Sequence, residues 1–451
     1  MDQKKKFLVA GAGVSGIAAA VLLHQAGEGA ILYDGNAELQ EEKIREQLGE
    51  AGEIPVILGE LSGEIIRQVK ICVISPGIPL SAPFVKRLQE QEIPIWSEIE
   101  LAYRYGKGRI AAITGTNGKT TTTALVGAIL KEEYDSVSVV GNIGTPYTSR
   151  ALSLTEDSVT AAEISSFQLE SILDFHPDVS AILNITPDHL NRHGTMGEYI
   201  RVKESITKNQ RENNWCVLNY EDAVLRRFGE GKKSPKIVFF SSEQPVTGGL
   251  YLEGDAIVSE LDGEKEVVCH TGELKLLGRH NYENVMAAVG IGRKMGVPME
   301  KIRRACTQFQ AVEHRIEFVR EVQGVVYYND SKGTNPDASI NAIRAMTRPT
   351  ILIGGGYDKG GGYESWISEC FGRVKRLILI GETAPAIAAT ARRMGYEDFV
   401  FATDLETAVS VAVAYADRGD AVLLSPACAS WDMFENYEER GRKFKELVQK
   451  I

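Results

Sequence analysis

Residues 113–126, ITGTNGKTTTTALV, constrain the fold more than any other part of this chain. An apolar run ends in a glycine-rich turn, and a lysine followed by four threonines opens the next segment. A strand, a glycine turn and a helix N-terminus in this order gather backbone N–H groups around an anion. The spacing departs from the common G-x-x-x-x-G-K-[ST] loop, because Gly115 lies only three residues before Gly118. The pattern therefore predicts a phosphate site with an unusual loop length.

A second glycine-rich loop, GAGVSG at residues 11–16, also stands between an apolar run and a helical pattern. It matches G-x-G-x-x-G, and Asp34 ends the next apolar run about twenty residues later, as in dinucleotide-binding folds. Glycines let the backbone approach a diphosphate, and the residues alone leave NAD and a UDP-sugar open as ligands. The turn SPGIP at 75–79 follows another apolar run and is expected in the same crevice.

Strand and helix patterns alternate along the chain in three regions, which predicts an α/β protein with mostly parallel sheets. With 451 residues, the chain is long enough for several cores. We expect a Rossmann-like domain over 1–97 and a central phosphate-loop domain over 98–311. The central domain carries a small extra β-sheet, and a second Rossmann-like domain follows over 312–451.

Composition excludes several classes of protein. The net charge of −11 disfavours a nucleic-acid partner. Six scattered cysteines without a CxxC pair argue against a disulfide framework or a zinc knuckle and fit a reducing, cytoplasmic setting. The lysines at 4–6 and the apolar run after them imitate a signal peptide, but the glycine fingerprint in that run favours a folded strand and helix. No segment approaches about 18 uninterrupted apolar residues, so no membrane span is expected.

Candidate metal ligands follow the predicted phosphate loop. Glu163 ends an apolar strand, where a carboxylate is otherwise unfavourable, and NITPDHLNRHG offers Asp188, His189 and His193. Two histidines four residues apart could bind zinc, but a third matched ligand is missing, and a phosphate loop favours Mg²⁺. A nucleophilic role for Cys428 is disfavoured, because no histidine lies near it in sequence.

Seven motifs then occur in a fixed order: ITGTNGKTTT, EISSFQLE, NITPDHLNRH, GRHNYENVMAA, EHRIEF, NDSKGTNPDA and LLSPACASWDMFENYEERG. This set resembles the Mur ligases of bacterial peptidoglycan synthesis, and the resemblance covers all three regions. SSFQLE and SPACASWD favour the branch that joins D-glutamate to UDP-N-acetylmuramoyl-L-alanine. TNPDAS stands where the branches that add diaminopimelate or lysine carry a DNPR-type motif.

The resemblance implies a reaction in which ATP phosphorylates the substrate carboxylate to an acyl phosphate. The amine of D-glutamate then attacks, and phosphate leaves through a tetrahedral intermediate. Negative charge accumulates in both steps, so cations are expected to dominate the site. The implied enzyme is a cytoplasmic monomer that uses ATP and two Mg²⁺ ions, with no nucleic-acid or membrane partner.

The resemblance also implies a role for individual residues. Lys119 and Lys332 contact the transferring phosphate, and Lys203 matches a lysine that the family carbamylates with CO₂. The implied metal ligands are Thr120, Glu163, His189 and carbamylated Lys203. The implied ATP residues are Gly115, Thr116, Asn117, Gly118, Lys119, Thr120, Thr121, Asn281, Asn284, Arg315 and Asp330.

For the two other substrates, the resemblance decides in favour of UDP over NAD at the first glycine loop. The implied UDP-sugar residues are Val14, Ser15, Asp34, Gly35, Asn36, Ser75 and Asn142. The implied D-glutamate residues are Thr334, Lys359, Ser430 and Tyr437, the last through its backbone.

Three rival functions remain at this stage. Another Mur ligase or a folylpolyglutamate-type ligase would share the ATP motifs. An NAD-dependent dehydrogenase with a fused phosphate-binding domain would use residues 11–16 but leaves Lys119, Glu163 and His189 unexplained. A non-catalytic nucleotide sensor would not need the D-glutamate set.

Overall fold

A computed structural model describes residues 5–142, 144–261, 263–358, 360 and 362–451. The chain contains three sheets, of five, nine and six strands. By its internal contacts it divides into two compact units. The first unit is Met1–His270 with Asn284–Cys306, and it holds the five- and nine-stranded sheets. The second is Thr271–Glu283 with Thr307–Ile451, and it holds the six-stranded sheet.

The first sheet is fully parallel, in the order β3-β2-β1-β4-β5. Its central strand is buried along almost its whole length, which explains the continuous apolar run at 7–10. The order reverses between β1 and β4, and ligands bind at such a point beyond the carboxyl ends of the strands. The strands are β1 (Lys6–Ala10), β2 (Ala30–Asp34), β3 (Val56–Leu58), β4 (Val69–Ile74) and β5 (Ile95–Ser97), and the helices are α1 (Val14–Gln25), α2 (Glu41–Leu48), α3 (Gly63–Ile66) and α4 (Pro83–Gln89).

The nine-stranded sheet has the order β14-β13-β12-β11-β10-β9-β6-β8-β7. Its strands are β6 (Arg109–Thr114), β7 (Val137–Gly141), β8 (Val159–Glu163), β9 (Val179–Ile182), β10 (Trp215–Asn219), β11 (Lys236–Ser241), β12 (Leu250–Glu253), β13 (Ala256–Ser259) and β14 (Glu266–His270). Strands β6–β11 are parallel, and β12–β14 form an antiparallel meander. The predicted small β-sheet is thus an extension of the parallel sheet, attached through the short β11–β12 pairing.

Eight helices with labels α5–α12 accompany this sheet along the chain. They are α5 (Glu98–Tyr105), α6 (Lys119–Lys131), α7 (Ser166–Leu169), α8 (Leu190–His193), α9 (Met196–Glu204), α10 (Ala223–Glu230), α11 (Arg279–Lys294) and α12 (Met299–Gln308). Strand β6 lies between β8 and β9, so the carboxyl ends of these three strands meet at one edge. The loops that carry Gly115 and Asn184 leave the sheet there, after β6 and β9, and Glu163 is the last residue of β8.

The six-stranded sheet of the second unit has the order β15-β16-β20-β17-β18-β19 and is parallel except for β15. Apolar clusters cover both of its faces, with Trp366 fully buried in one of them. The strands are β15 (Glu317–Val322), β16 (Val325–Asn329), β17 (Thr350–Gly355), β18 (Val374–Ile380), β19 (Phe399–Phe401) and β20 (Ala421–Leu424), and the helices are α13 (Pro336–Ala345), α14 (Glu364–Cys370), α15 (Ala384–Arg393), α16 (Leu405–Tyr415) and α17 (Tyr437–Gln449). Doubly wound packing of this kind confirms the predicted fold class.

Within the described part of the chain, no helix has both the length and the apolar character needed to span a membrane.

Candidate active site

The predicted phosphate loop connects β6 to α6, as the sequence pattern indicates. Gly115 and Gly118 have φ values of 150° and 85°, which L side chains rarely adopt. A Cβ at Gly118 would lie 2.3 Å from the Asn284 side-chain oxygen, so glycine is required there on two grounds. The Lys119 ammonium group donates to the carbonyl oxygens of Gly115 and Thr116, both at 2.8 Å. The loop is therefore preformed around its lysine.

The sequence reasoning did not identify Asn184, which holds this loop from the side. Its carboxamide accepts from the Asn117 N–H at 2.8 Å and donates to the Asn117 carbonyl at 3.2 Å. Its own carbonyl accepts from the Thr116 N–H at 2.9 Å. Three hydrogen bonds thus connect the segment after β9 to the loop after β6. The strand order was the missing signal, because only the adjacency of β6 and β9 places Asn184 beside Asn117.

Thr120 and Thr121 are buried in the first turn of α6, and Thr122 donates to the Asn284 side chain at 3.3 Å. This contact brings Asn284, one of the predicted ATP residues, to the loop within the first unit. Thr116 accepts from the Thr186 N–H at 3.0 Å and lies 3.1 Å from the Tyr199 hydroxyl. Hydroxyl groups therefore surround the loop without adding charge.

Glu163 lies at the end of β8, paired in register with Ile113 of β6, and its side chain is buried. One carboxylate oxygen accepts from the Asn142 amide at 3.3 Å. The other is buried and lacks a hydrogen-bond partner among the described residues. A buried, half-satisfied carboxylate is costly, and a cation would satisfy it. Asn142, predicted for the sugar, and Glu163, predicted for the metal, are thus in contact.

Lys203 lies in α9 with its side chain 1% exposed. Its amine donates to the Gly115 carbonyl at 2.8 Å, the same oxygen that Lys119 contacts, and lies 4.8 Å from the centre of the Tyr199 ring. Burial lowers the pKa of Lys203 well below its usual range, and the charge of Lys119 lowers it further, against an opposing effect of Asp188. Both effects shift the balance of this group toward the neutral amine, compared with an exposed lysine.

His189 precedes α8 in a left-handed conformation with φ 52°, and its Nε2 lies 3.5 Å from an Asp188 oxygen. The His193 ring is buried, 3.0 Å from the Ser166 hydroxyl and 3.4 Å from a Glu170 oxygen. Burial lowers the pKa of His193. His193 thus has protein partners of its own, and the disfavoured zinc pair stays an untested prediction.

The first glycine loop connects β1 to α1. The Ala12 N–H donates to Asp34 at 2.8 Å, so this predicted UDP-sugar residue closes the loop. A Cβ at Gly11, where φ is 103°, would lie 2.6 Å from the Ser75 hydroxyl oxygen. That hydroxyl is buried and, within the described residues, unpartnered, so it can meet a ligand. Val14, Gly35 and Asn36 are exposed and Ser15 is half-buried around the same crevice.

In the second unit, Asp330 follows β16 and is buried. It accepts from the Ser425 hydroxyl at 2.7 Å and from the Ile316 N–H at 3.3 Å. Burial raises its pKa to about 6, against the opposing charge of Arg315. The Arg315 Nε atom is buried and has no hydrogen-bond partner in the part of the chain described. Asn281 donates to the Leu277 carbonyl at 2.7 Å, also in this unit.

The predicted D-glutamate and phosphate residues of the second unit lie on two segments. The Lys332 ammonium lies 5.3 Å from the centre of the Tyr437 ring, and the Thr334 N–H donates to the Lys332 carbonyl at 2.8 Å. Ser430 is buried in the segment that precedes α17. Lys359, the remaining predicted residue, lies outside the described residues.

Arg440, which the sequence reasoning also missed, connects those two segments. Its guanidinium is fully buried and donates to the Ser331 carbonyl at 2.8 Å and to the carbonyls of Cys428 and Ala429 at 3.2 Å. In sequence it lies on α17 among charged neighbours and is typical of an exposed helix face, so no local pattern indicated it. Burial also raises the pKa of the Cys428 thiol, which argues against a nucleophilic role.

All three parts of the chain match one family. Residues 5–97 match the Mur ligase MurD-like N-terminal domain, residues 113–292 the Mur ligase middle domain, and residues 314–428 the Mur ligase glutamate ligase domain. The chain belongs to the Mur ligase family. The sequence resemblance is thereby confirmed.

Two full-length relatives of this Mur ligase carry the same name. The chain is 54% identical over 447 residues to the UDP-N-acetylmuramoylalanine--D-glutamate ligase of Lachnoclostridium phytofermentans, covering 99% of this chain and 98% of the relative. It is 50% identical over 453 residues to the ligase of the same name from Lachnospira eligens, covering 100% of both chains.

Solved structures share the fold of this Mur ligase at low identity. UDP-N-acetylmuramate-alanine ligase MurC from Thermotoga maritima has a TM-score of 0.62 at 20% identity, covering 99% of both chains. MurF ligase from Thermotoga maritima, in complex with ADP, has a TM-score of 0.60 at 16% identity, covering 100% of this chain and 99% of that one.

Proposed function

We propose that this Mur ligase joins D-glutamate to UDP-N-acetylmuramoyl-L-alanine at the expense of ATP, in the cytoplasmic assembly of peptidoglycan precursors. The observation that carries the proposal is full-length identity of 54% and 50% to two ligases named for that reaction. The site geometry supports it, because a preformed phosphate loop lies beside a half-satisfied buried carboxylate. We further propose that the enzyme acts as a monomer.

The phosphate loop would bind ATP through backbone N–H groups at the N-terminus of α6, where the helix dipole favours negative charge. Lys119 already lies over the loop, held by two carbonyl oxygens at 2.8 Å. Its charge would stabilise the phosphate as it passes to the substrate carboxylate, because negative charge accumulates on the phosphate oxygens in that step. Lys332 of the second unit is proposed to contact the same phosphate.

The residues near Gly115 fit Mg²⁺. Glu163 offers a buried oxygen that lacks a protein partner in the described chain, and oxygen ligands are what Mg²⁺ prefers. Thr120, Glu163, His189 and carbamylated Lys203 are the proposed ligands of two ions. When bound, Mg²⁺ would neutralise the charge on ATP and the reacting carboxylate.

Lys203 suits carbamylation because a neutral amine reacts with CO₂, forming an N–C bond and releasing one proton. Burial and the neighbouring Lys119 both favour the neutral form. The product is an anion with two oxygens, which replaces a buried cation by a metal ligand. An ammonium beside Lys119 would instead repel both Lys119 and the metal.

For D-glutamate, we propose binding by Thr334, Lys359, Ser430 and the backbone near Tyr437. The amine attacks the acyl phosphate carbon, forms the C–N bond and loses a proton as phosphate leaves. Arg440 supports this set, since it holds the carbonyls of Ser331, Cys428 and Ala429 together. The proposal for D-glutamate thus depends on two segments that a buried cation keeps in register.

The test is a substrate panel. Phosphate release from ATP is measured with UDP-N-acetylmuramoyl-L-alanine and one amino acid at a time: D-glutamate, L-glutamate, L-lysine or diaminopimelate. We expect release only with the nucleotide substrate and D-glutamate together, and none from the Lys119→Ala variant. Equal turnover with L-glutamate or L-lysine would overturn the assignment. Tight binding of NAD in place of UDP would overturn the proposed ligand of the first glycine loop.

A further inference from the structure

Arg192 connects two parts of the first unit that the proposed reaction uses separately. It lies in α8, three residues after His189, and its side chain is 12% exposed. Its guanidinium donates to the carbonyl oxygens of Pro76 and Ile78, each at 3.0 Å. These carbonyls belong to the turn at 75–79, beside the first glycine loop.

The same guanidinium is fixed from its other side. It forms an ion pair with Glu170 at 2.7 Å and lies 4.3 Å from the centre of the Phe167 ring. Glu170 follows α7 and also faces His193 at 3.4 Å. Charge-assisted bonds from a planar guanidinium impose geometry as well as energy. The turn and α8 are therefore held in one register by a single side chain.

Each end of this connection leads directly to proposed binding residues. The Ser75 N–H donates to the Ala10 carbonyl and the Ile78 N–H to the Ser75 carbonyl, so the turn is tied to the end of β1. On the other side, the Arg192 and His193 N–H groups both donate to the His189 carbonyl, at 2.9 and 3.1 Å. A shift of the turn would thus be transmitted to the backbone of His189.

We infer that Arg192 is a positioning residue that couples binding of the UDP moiety at the turn to binding of the metal and nucleotide beside His189. This inference rests on the proposed function for the identity of the two ligands. Arg192 thus connects the two sites and is not itself a ligand-binding residue of either one. Coupling of this kind is reciprocal, so UDP must strengthen binding of Mg²⁺·ADP by the same factor as Mg²⁺·ADP strengthens binding of UDP.

The experiment is calorimetric titration of UDP and of Mg²⁺·ADP, each with and without the other, on the full chain. In the wild type we expect each ligand to tighten binding of the other by about fivefold or more, at the lower end of the usual range of such couplings. Arg192→Lys keeps the charge, but a single ammonium cannot replace the planar fork that holds both carbonyls and Glu170. We expect the coupling factor to fall to about one, consistent with a lost charge-assisted contact.

A kinetic readout separates positioning from general destabilisation. In Arg192→Lys, the KM for UDP-N-acetylmuramoyl-L-alanine and the half-saturating Mg²⁺ concentration should both rise about tenfold, as for loss of one good hydrogen bond. The KM for D-glutamate should stay unchanged. A merely structural role would lower the active fraction, and thus kcat, without raising either constant.

Two further variants complete the test. Glu170→Gln should weaken the coupling in the same direction, and combining it with Arg192→Lys should add little, because both changes act on one contact. Arg201→Lys is the matched control, since Arg201 forms an exposed pair with Glu198 on α9. We expect it to change neither constant.

Several outcomes would overturn the inference: no coupling in the wild type, undiminished coupling in Arg192→Lys, or equal changes in Arg201→Lys. If Arg192→Lys fails to fold, Glu170→Gln decides in the same way. If the wild type lacks D-glutamate-dependent activity, the proposed function fails. Even then, the UDP and Mg²⁺·ADP titrations test the coupling by themselves, because they measure binding and need no turnover.

Discussion

At the scale of single residues, Lys203 shows how burial prepares a side chain for chemistry. Two lysines donate to one carbonyl oxygen, that of Gly115, and only Lys119 is positioned at the helix N-terminus where phosphate is expected. The buried member of the pair is the one whose pKa burial lowers. A fully buried lysine beside a second lysine is unusual in a protein interior, and the proposed carbamate would give it a chemical use.

Lys203→Ala should abolish ligase activity, because one proposed oxygen ligand is lost. Added acetate or another short carboxylic acid should restore part of the activity by occupying the space of the carbamate. The measurement is phosphate release with increasing acetate concentration. Lys119→Ala serves as the control and should not respond to acetate. Absence of rescue in Lys203→Ala would contradict the carbamate proposal.

Glu98 provides a prediction about pH. It is buried at the start of α5, accepts from the Gln168 amide at 2.6 Å, and has a second oxygen without a partner among the described residues. Burial raises its pKa from 4.5 to about 7. The folded chain therefore holds this proton more tightly than the unfolded chain. As pH rises from about 4.5 to 7, ionisation of Glu98 therefore lowers the free energy of unfolding by up to about 3 kcal/mol.

Glu98→Gln removes this titration, so its melting temperature should exceed that of the wild type increasingly between pH 5 and pH 8. The measurement is thermal unfolding of both proteins across that range. The exposed Glu64→Gln is the control, and its difference from the wild type should not depend on pH. A constant difference for Glu98→Gln would show that Glu98 is ionised throughout.

At the scale of elements, the phosphate loop depends on the segment after β9. Asn184→Ala would leave the N–H and carbonyl of Asn117 without their side-chain partners. We expect the KM for ATP to rise about tenfold, from loss of hydrogen bonds worth about 1 kcal/mol each. Steady-state kinetics with varied ATP measures this.

Asn209→Ala is the matched control for Asn184→Ala. Asn209 also spans two backbone groups, donating to the carbonyls of Leu173 and Phe175, but these lie away from the loop. Its loss should lower stability without changing the KM for ATP. Similar ATP effects in both variants would mean that Asn184 acts through stability alone.

Elements with strong local patterns were predictable from the sequence, and those fixed by distant pairing were not. Strands β1, β6 and β8 are buried apolar runs that end at a glycine turn or at a carboxylate, so their positions can be predicted from the local sequence. Strand β3 has only three residues and shows no periodicity. Strand β15 mixes charged and apolar residues without strict alternation, lies at a sheet edge and pairs antiparallel to β16, which a βαβ rhythm does not indicate.

The same distinction applies to the candidate site. Lys119 and Glu163 stand in sequence motifs that indicate phosphate binding and metal binding, and the strand order brings both to one edge of the sheet. Asn184, Arg192 and Arg440 act on backbone groups far away in sequence, and no motif of their own indicates that. Their roles depend on strand order and on helix orientation, which are properties of the folded chain.

At the scale of the whole molecule, the chain passes between its two units more than once. Residues 271–283 belong to the second unit, residues 284–306 return to the first, and the second unit resumes at 307. Within that unit, Leu277 packs on the core cluster that contains Trp366. Gly278 has φ 92°, and a Cβ there would lie 2.6 Å from the Ala345 Cβ. Segment 271–283 is therefore built into the second unit and is not a simple linker.

Gly278→Ala should destabilise the second unit by about 1–3 kcal/mol, from strain at positive φ and a clash with Ala345. Chemical unfolding, monitored by fluorescence of tryptophans that include the buried Trp366, measures the effect. Gly272→Ala is the control, since its Cβ would have no atom within 4 Å. Equal stability of the two variants would show that segment 271–283 contributes little to the stability of the second unit.

All six cysteines are buried thiols outside any disulfide. Thiol reagents attack the thiolate, and burial raises the pKa of Cys72 and of Cys216 to about 12. Chemical labelling of the native protein then requires local opening, so the labelling rate of each cysteine reports how often the element around it opens. The cysteines are spread over all three sheets and the helices packed on them: Cys72 in β4, Cys216 in β10, Cys269 in β14, Cys306 in α12, Cys370 in α14 and Cys428 after β20. Mass spectrometry of labelled peptides, with and without each substrate, would thus show in which elements that substrate slows local opening.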